Sequence, residues 1–264
     1  MATAAPSDPQ FRPMRLHRSR ALSPTVRSVV LETADGSSLQ WRGGQHVELL
    51  VPPETIAQAP ERWRADPAWL EEVRATKHPY SIASAPDPEA PGRLELAVGT
   101  SEGDSTSALL QRLSPGAQLG MVGPLGDFTR EGLRDEPALF VATGTGLAPL
   151  RAMILDDLSR GPRGPELVLL FGCRREEDLL WYDGFNDLAR RHPRFRYEPT
   201  LSQPRPDWRG RRGYVQEHLP ELVRAAGPVP VFVAGQPEMV ADVLRLLEID
   251  LGHPPDRILR EQYV

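Results

Sequence analysis

The sequence predicts two units in one chain: an antiparallel β-barrel followed by an α/β unit with a doubly wound parallel sheet. Three observations lead there. The first half carries short β-rich runs separated by glycine and proline, the texture of a barrel or sandwich. The second half alternates strand-like and helix-like segments, the order that places helices on both faces of a parallel sheet. At 264 residues the chain is also longer than a single hydrophobic core usually serves. The texture changes near Arg134 to Pro137, where polar residues and a proline intervene, so the barrel is expected over 1–135 and the α/β unit over 136–264.

In the first unit the expected strands are Val26 to Leu31, His46 to Val51, Leu94 to Val98 and Gln118 to Val122. The arginines between Arg12 and Arg20 invite a transit-peptide reading. They lead straight into Thr25 to Leu31, however, whose mixed apolar and polar residues read as the first strand of the fold. Residues 53–76 differ from their surroundings, with apolar positions at Trp63, Trp69, Leu70 and Val73; they predict a short helical insertion that covers the barrel rather than docks a partner. In the second unit, strands are expected at Ala138 to Ala142, Leu167 to Phe171 and Val231 to Ala234. Helices are expected from Pro149, near Trp181 to Arg191, and from Glu238.

Composition narrows the function. Hydrophobic residues at 40% and charged residues at 25% describe a folded protein. The 36 acidic and 31 basic residues give a net charge of -5 and are interleaved, so no basic tract suggests a nucleic-acid partner. Cys173 is the only cysteine, which rules out an internal disulfide and a cysteine-held iron–sulfur cluster within this chain. No metal site is expected. No apolar run nears the roughly 20 residues of a membrane span, and the N-terminal residues lack the order of a secretory signal; a cytoplasmic location is the expectation.

Four segments could carry chemistry. Thr143-Gly144-Thr145-Gly146, followed by Ala148-Pro149, is a strand running into a glycine turn and a helix. Glycines allow close backbone approach and a helix start offers free N–H donors, so a pyrophosphate fits. A tight turn that binds nothing fits equally well. His78-Pro79-Tyr80-Ser81-Ile82 lies on an expected strand, where alternation sets Tyr80 and Ile82 on one face and Ser81 on the other. An aromatic beside a hydroxyl suits a flavin, and an ordinary half-buried strand is the alternative. Gly103, Ser105, Thr106 and Ser107 open an apolar helical pattern, as a phosphate site or a plain N-cap would. Gly235-Gln236-Pro237-Glu238-Met239 is another strand-to-helix turn, and in open α/β sheets ligands collect beyond the carboxyl ends of strands.

In this order and spacing the segments resemble the ferredoxin–NADP reductase superfamily over nearly the whole chain. His78 to Ser81 corresponds to the family's Arg-x-Tyr-Ser flavin motif and Gly103 to Thr106 to its pyrophosphate turn. Gly144 to Gly146 with Pro149 corresponds to its dinucleotide turn, and Gly235 to Met239 to the segment beside the nicotinamide. Glu261 and Tyr263 resemble the acidic residue and flavin-stacking aromatic of plant and bacterial ferredoxin reductases. The resemblance implies FAD and either NADP or NAD as cofactors. For NADP it implies Arg174, Arg175, Ser202, Arg212 and Tyr214 as 2′-phosphate contacts, although Gln203 stands where NADPH-using relatives often carry arginine. Three departures stand out: His78 replaces the flavin-motif arginine, Ala234 replaces a cysteine beside the nicotinamide, and the insertion is long.

The implied activity is that of an NAD(P)H-dependent flavoprotein reductase. Its expected partner is a small electron-transfer protein, a ferredoxin or flavodoxin, or else an oxygenase component. Ser81, Glu261 and Tyr263 are the expected catalytic residues, with Tyr263 a gate displaced when nicotinamide stacks. A free-flavin reductase or diaphorase, and a non-catalytic flavin-binding subunit, are the alternative functions.

Overall fold

A computed structural model describes residues 11–75, 77–99 and 105–262. In its first half, β1 (Phe11–Ala21), β2 (Val26–Thr33), β3 (His46–Leu50), β4 (His78–Ser81), β5 (Arg93–Gly99) and β6 (Gln118–Leu125) form one antiparallel sheet in the order β4-β3-β6-β1-β2-β5. An antiparallel bridge between Ile82 and Leu96 joins the two edges and closes the sheet on itself, which satisfies backbone groups that an open edge would leave to solvent. Alternation fills the interior with Met14, Leu16, Leu31, Val47, Leu49, Leu96 and Met121.

The stretch from Arg12 to Arg20 is therefore itself the first strand. Its inward positions are only Met14 and Leu16, while Arg15, His17, Arg18 and Arg20 point out; a strand with so short an apolar set does not show its period in sequence. The insertion folds as three short helices, α1 (Pro53–Ile56), α2 (Glu61–Arg64) and α3 (Pro67–Ala75). Ile56, Ala59, Trp69 and Val73 join the barrel core. Trp63 lies 5.8 Å from Trp69 and beneath the guanidinium of Arg112, 5.3 Å from its ring centre. Arg112 ends α4 (Ser105–Arg112), so insertion and α4 cover one side of the barrel together.

The second half contains β7 (Ala138–Thr143), α5 (Leu147–Ser159), β8 (Leu167–Cys173), α6 (Tyr182–Arg191), β9 (Phe195–Leu201), β10 (Arg211–Arg212), α7 (Val215–Ala226), β11 (Val231–Gly235), α8 (Pro237–Arg245) and β12 (Ile258–Gln262). All strand pairs are parallel, in the order β10-β9-β8-β7-β11-β12. Phe140, Ala142, Leu169, Phe171 and Phe232 face α5 and α6; Leu139, Val141, Leu170, Val231 and Val233 face α7 and α8. Strands buried on both faces read as the continuous apolar runs visible in the sequence. β9, with Arg196 and Glu198 in alternation, and β12, with Arg260 and Glu261 side by side, do not read that way. α5 begins at Leu147 because Gly144–Gly146 already form a 3₁₀ turn, so Pro149 is its third residue and its missing N–H costs nothing.

The two sheets share an apolar cluster in which Val26, Ala83 and Ala97 of the barrel meet Phe140, Leu147 and Leu150. Gly43 packs so closely on α5 that a Cβ there would lie 2.6 Å from Met153 Cα. Between β6 and β7, Arg130 is buried, pairs with Asp157 of α5 at 2.5 Å, and lies over Phe140 and Phe232, 5.6 Å from each ring centre. Among the described residues no helix is long and apolar enough to cross a membrane.

Candidate functional site

On the barrel side, β4 sets His78 and Tyr80 against the start of α4. His78 Nε2 is 3.1 Å from Thr106 Oγ1, and the Tyr80 hydroxyl is 2.9 Å from Ser107 Oγ. Thr106 and Ser107 are the second and third residues of α4, which Ser105 opens, so hydroxyls, an imidazole and helix N-terminal amides converge on one spot. That donor set suits a pyrophosphate. Ile82 does not join it: its side chain is fully buried in the barrel core and its N–H donates to Gln45 O. Gly103 and Tyr263 lie outside the described residues.

Ser81 is buried on the opposite face of β4 from Tyr80. Its hydroxyl donates to Glu261 Oε1 at 2.9 Å. Glu261 reaches it because β12 runs parallel to β11 with Glu261 beside Ala234, so the last strand of the parallel sheet carries a carboxylate to the barrel. Ser81 and Glu261, expected as catalytic on separate grounds, meet across the crevice between the sheets.

On the α/β side, the order of strands reverses between β7 and β11, and both glycine turns lie at the ends of those two strands. Gly146 sits so near β11 that a Cβ would come 2.4 Å from Ala234 O. Gly235, at φ +154°, leaves 2.5 Å between such a Cβ and Thr143 Oγ1. Gly144 takes φ +54° with nothing within 4 Å of its Cβ position, an open approach to its backbone. Among the described residues the buried Thr143 hydroxyl has no hydrogen-bond partner, which leaves a polar atom at the strand end for a ligand to satisfy.

A cleft of about 900 Å³ opens there. Thr143, Gly144, Arg174, Ser202, Tyr214, Gln236 and Met239 line it, as do Gly172, Cys173 and Gln203. Ser23 and Thr25 of the β1–β2 turn and Val26 at the start of β2 also line it, which nothing local in the sequence marks. Asp178, Glu238 and Asp242 also line it, leaving Arg174 as the one lining cation among the described residues. Arg175 is exposed and pairs with Glu177. Arg212 donates to the carbonyls of Arg205, Pro206 and Trp208. The structure thus brings Arg174, Ser202 and Tyr214 to the cleft and leaves Arg175 and Arg212 out. Pro149 is buried in α5 packing, Thr145 sets its methyl against Gly99, and Pro237 is the exposed first residue of α8. Burial, with Asp178, Glu176 and Glu177 nearby, pushes the Cys173 thiol up to about 12.

The chemistry of the cleft lining suits a dinucleotide, and that of the α4 start suits a second pyrophosphate. The family model described as oxidoreductase NAD-binding domain matches residues 140–245. A protein of Sorangium cellulosum named ferredoxin–NADP reductase B is 44% identical over 255 residues, covering 94% of this chain and 96% of that protein. The Amycolatopsis cytochrome P450 reductase superposes with a TM-score of 0.75 at 27% identity, over 99% of this chain and 73% of that one. A ferredoxin NADP+ reductase from Neisseria gonorrhoeae, solved with bound FAD and NADP, has the same fold at 19% identity, with a TM-score of 0.72 over 96% of this chain and 98% of that one.

Proposed function

This chain belongs to the ferredoxin–NADP reductase family and is an NAD(P)H-dependent flavoprotein reductase passing electrons through FAD to a separate acceptor; within that class we propose the residues that do the work and the partner they serve. Residues 1–135, insertion included, form the flavin-binding unit, and residues 136–264 bind the dinucleotide. When bound, the flavin accepts an electron pair from dihydronicotinamide and releases electrons singly.

His78, Tyr80, Thr106 and Ser107 hold the flavin pyrophosphate. Neutral imidazole donates one hydrogen bond where arginine would bring a permanent charge, so the flavin is held less tightly than an arginine would hold it. The turn from Thr143 to Gly146 receives the dinucleotide pyrophosphate, with the Thr143 hydroxyl donating to it. Ser81 presents its hydroxyl to the flavin ring, and Glu261 orients that hydroxyl and takes or returns a proton at it. The observation that supports this reading most directly is the Ser81–Glu261 hydrogen bond at 2.9 Å, which sets a proton-carrying pair between the two binding regions.

With Arg174 as the lining cation, we place a 2′-phosphate against it and assign NADPH as the better donor. The acceptor we assign is a ferredoxin or flavodoxin in the cytoplasm. The test is anaerobic mixing of the purified flavoprotein with NADPH and, separately, NADH. Rapid bleaching of the flavin absorbance, followed by its return on adding oxidised ferredoxin or flavodoxin, is the expected result; a yellow protein that ignores both nucleotides overturns the reading.

A further inference from the structure

We propose that Arg151 is a positioning residue: its guanidinium fixes the strand that carries Ser81 to the helix that begins at the dinucleotide turn, and so sets the alignment between flavin and nicotinamide. The proposal rests on the function proposed above.

Arg151 lies on α5, which starts directly after Gly144–Gly146. Its Nη1 donates to Ala83 O at 2.5 Å and to Glu95 Oε2 at 3.0 Å. Ala83 stands two residues beyond Ser81, and its own N–H donates to Glu95 O at 2.7 Å. Glu95 is the hub of this contact. Its Oε1 accepts from Ser28 Oγ at 2.5 Å and from Trp181 Nε1 at 3.1 Å, and its N–H donates to Ser84 Oγ at 3.0 Å. The Arg151 guanidinium also lies over the Trp181 ring, 4.5 Å from its centre. Two barrel strands, the flavin-motif strand and two α/β segments thus meet at one residue, Glu95.

The charges are held, not incidental. The side chains of Arg151 and Glu95 are 17% and 14% exposed. Burial opposes ionisation of Glu95, yet Arg151 and the hydrogen bonds from Ser28 and Trp181 outweigh it and lower its pKa, with Arg20 adding to the effect. Trp181 is the one described non-glycine residue with positive φ, at 50°. That conformation is unfavourable for a side chain as large as indole, and strain of this kind persists only where surroundings over-determine it. Here the strained residue hands its N–H to Glu95 and its ring to Arg151, directly after Leu180, which lines the dinucleotide cleft. Apolar contacts at Val26, Ala83 and Ala97 bring the two units together without fixing direction, whereas hydrogen bonds of set geometry fix it. Transfer between stacked rings is sensitive to displacements of about 1 Å.

The test compares wild type with Arg151→Met, Arg151→Lys and Trp181→Phe. Three quantities are read: flavin reduction at saturating NADPH, dinucleotide dissociation constants, and backbone amide exchange over residues 82–84 with no nucleotide present. Arg151→Met is expected to slow reduction about 10- to 100-fold with dinucleotide affinity within about threefold, to make the 4-deuterium isotope effect temperature-dependent, and to speed exchange at Ala83 and Ser84. Arg151→Lys recovers part of each. Unchanged rate and exchange overturn the proposal, as does a rate loss explained by weaker dinucleotide binding alone. If Arg151→Met does not fold, Trp181→Phe, which removes one donor, must still speed exchange and slow reduction; no change in either overturns it. A wild type that fails to reduce its flavin overturns the proposed function instead, and the exchange data still decide whether Arg151 holds the strand.

Discussion

Ser81 Oγ and Glu261 Oε1 lie 2.9 Å apart although 180 positions separate the two residues in sequence. Ser81→Ala removes the hydroxyl proposed to face the flavin, and Glu261→Gln keeps the shape while removing the proposed base. Both are expected to slow flavin reduction, on the order of 10²-fold for a lost acid–base group, with unchanged nucleotide affinity. Stopped-flow flavin reduction checks both.

The two glycines of the dinucleotide turn should respond unequally to alanine. At Gly144 the only obstacle is φ +54°, so alanine costs about 1–2 kcal/mol. At Gly146 the added Cβ meets the Ala234 carbonyl oxygen at 2.4 Å, and neither backbone can move without breaking the pairing of β11. Thermal unfolding should show Gly146→Ala far below Gly144→Ala, whose losses appear mainly in dinucleotide affinity.

Arginine content predicts nothing about nucleotide choice here, but arginine placement does. Arg174→Ala should raise the KM for NADPH by about tenfold or more, the equivalent of a charged hydrogen bond worth roughly 1.5–3 kcal/mol, and leave the KM for NADH nearly unchanged. Arg212→Ala, whose guanidinium serves three carbonyls, should lower stability without changing the NADPH to NADH ratio. Steady-state kinetics with both nucleotides separates the two.

Cys173 should be inert despite lining an open cleft. Burial and the neighbouring carboxylates push its pKa up to about 12, so near neutral pH the folded protein holds far less thiolate than the unfolded chain. Thiolate is the reactive form. Iodoacetamide at pH 8 should leave the native protein unlabelled under conditions that label the denatured chain fully, as intact mass will report.

What was legible in the sequence was local. The turn from Thr143 to Gly146, the strand bearing His78 and Tyr80 and the helix start at Thr106 and Ser107 each read as a motif a few residues long; that His78 and Tyr80 bond to Thr106 and Ser107, 28 and 27 positions away, did not. β1 was not legible, because outward arginines outnumber its buried Met14 and Leu16. Nor was the wall made by Ser23 and Thr25, since its relation to the cleft is created only when barrel and sheet dock. Arg212 read as a phosphate ligand because sequence shows a charge without showing that nearby carbonyls already occupy it. Glu95 and Trp181 belong to no motif; their importance comes from a meeting of five segments that no single stretch of chain encodes.

Gly43 and Met153 touch main chain to main chain, with no side chain between to swing aside or to cushion a rotation. A seam built that way leaves little slack, so barrel and sheet are expected to move as one. Any moving parts are then expected to be side chains at the mouth of the cleft, since the β1–β2 turn on its rim is itself tied to α4 by Gln111 Nε2, which donates to Thr25 O at 3.1 Å.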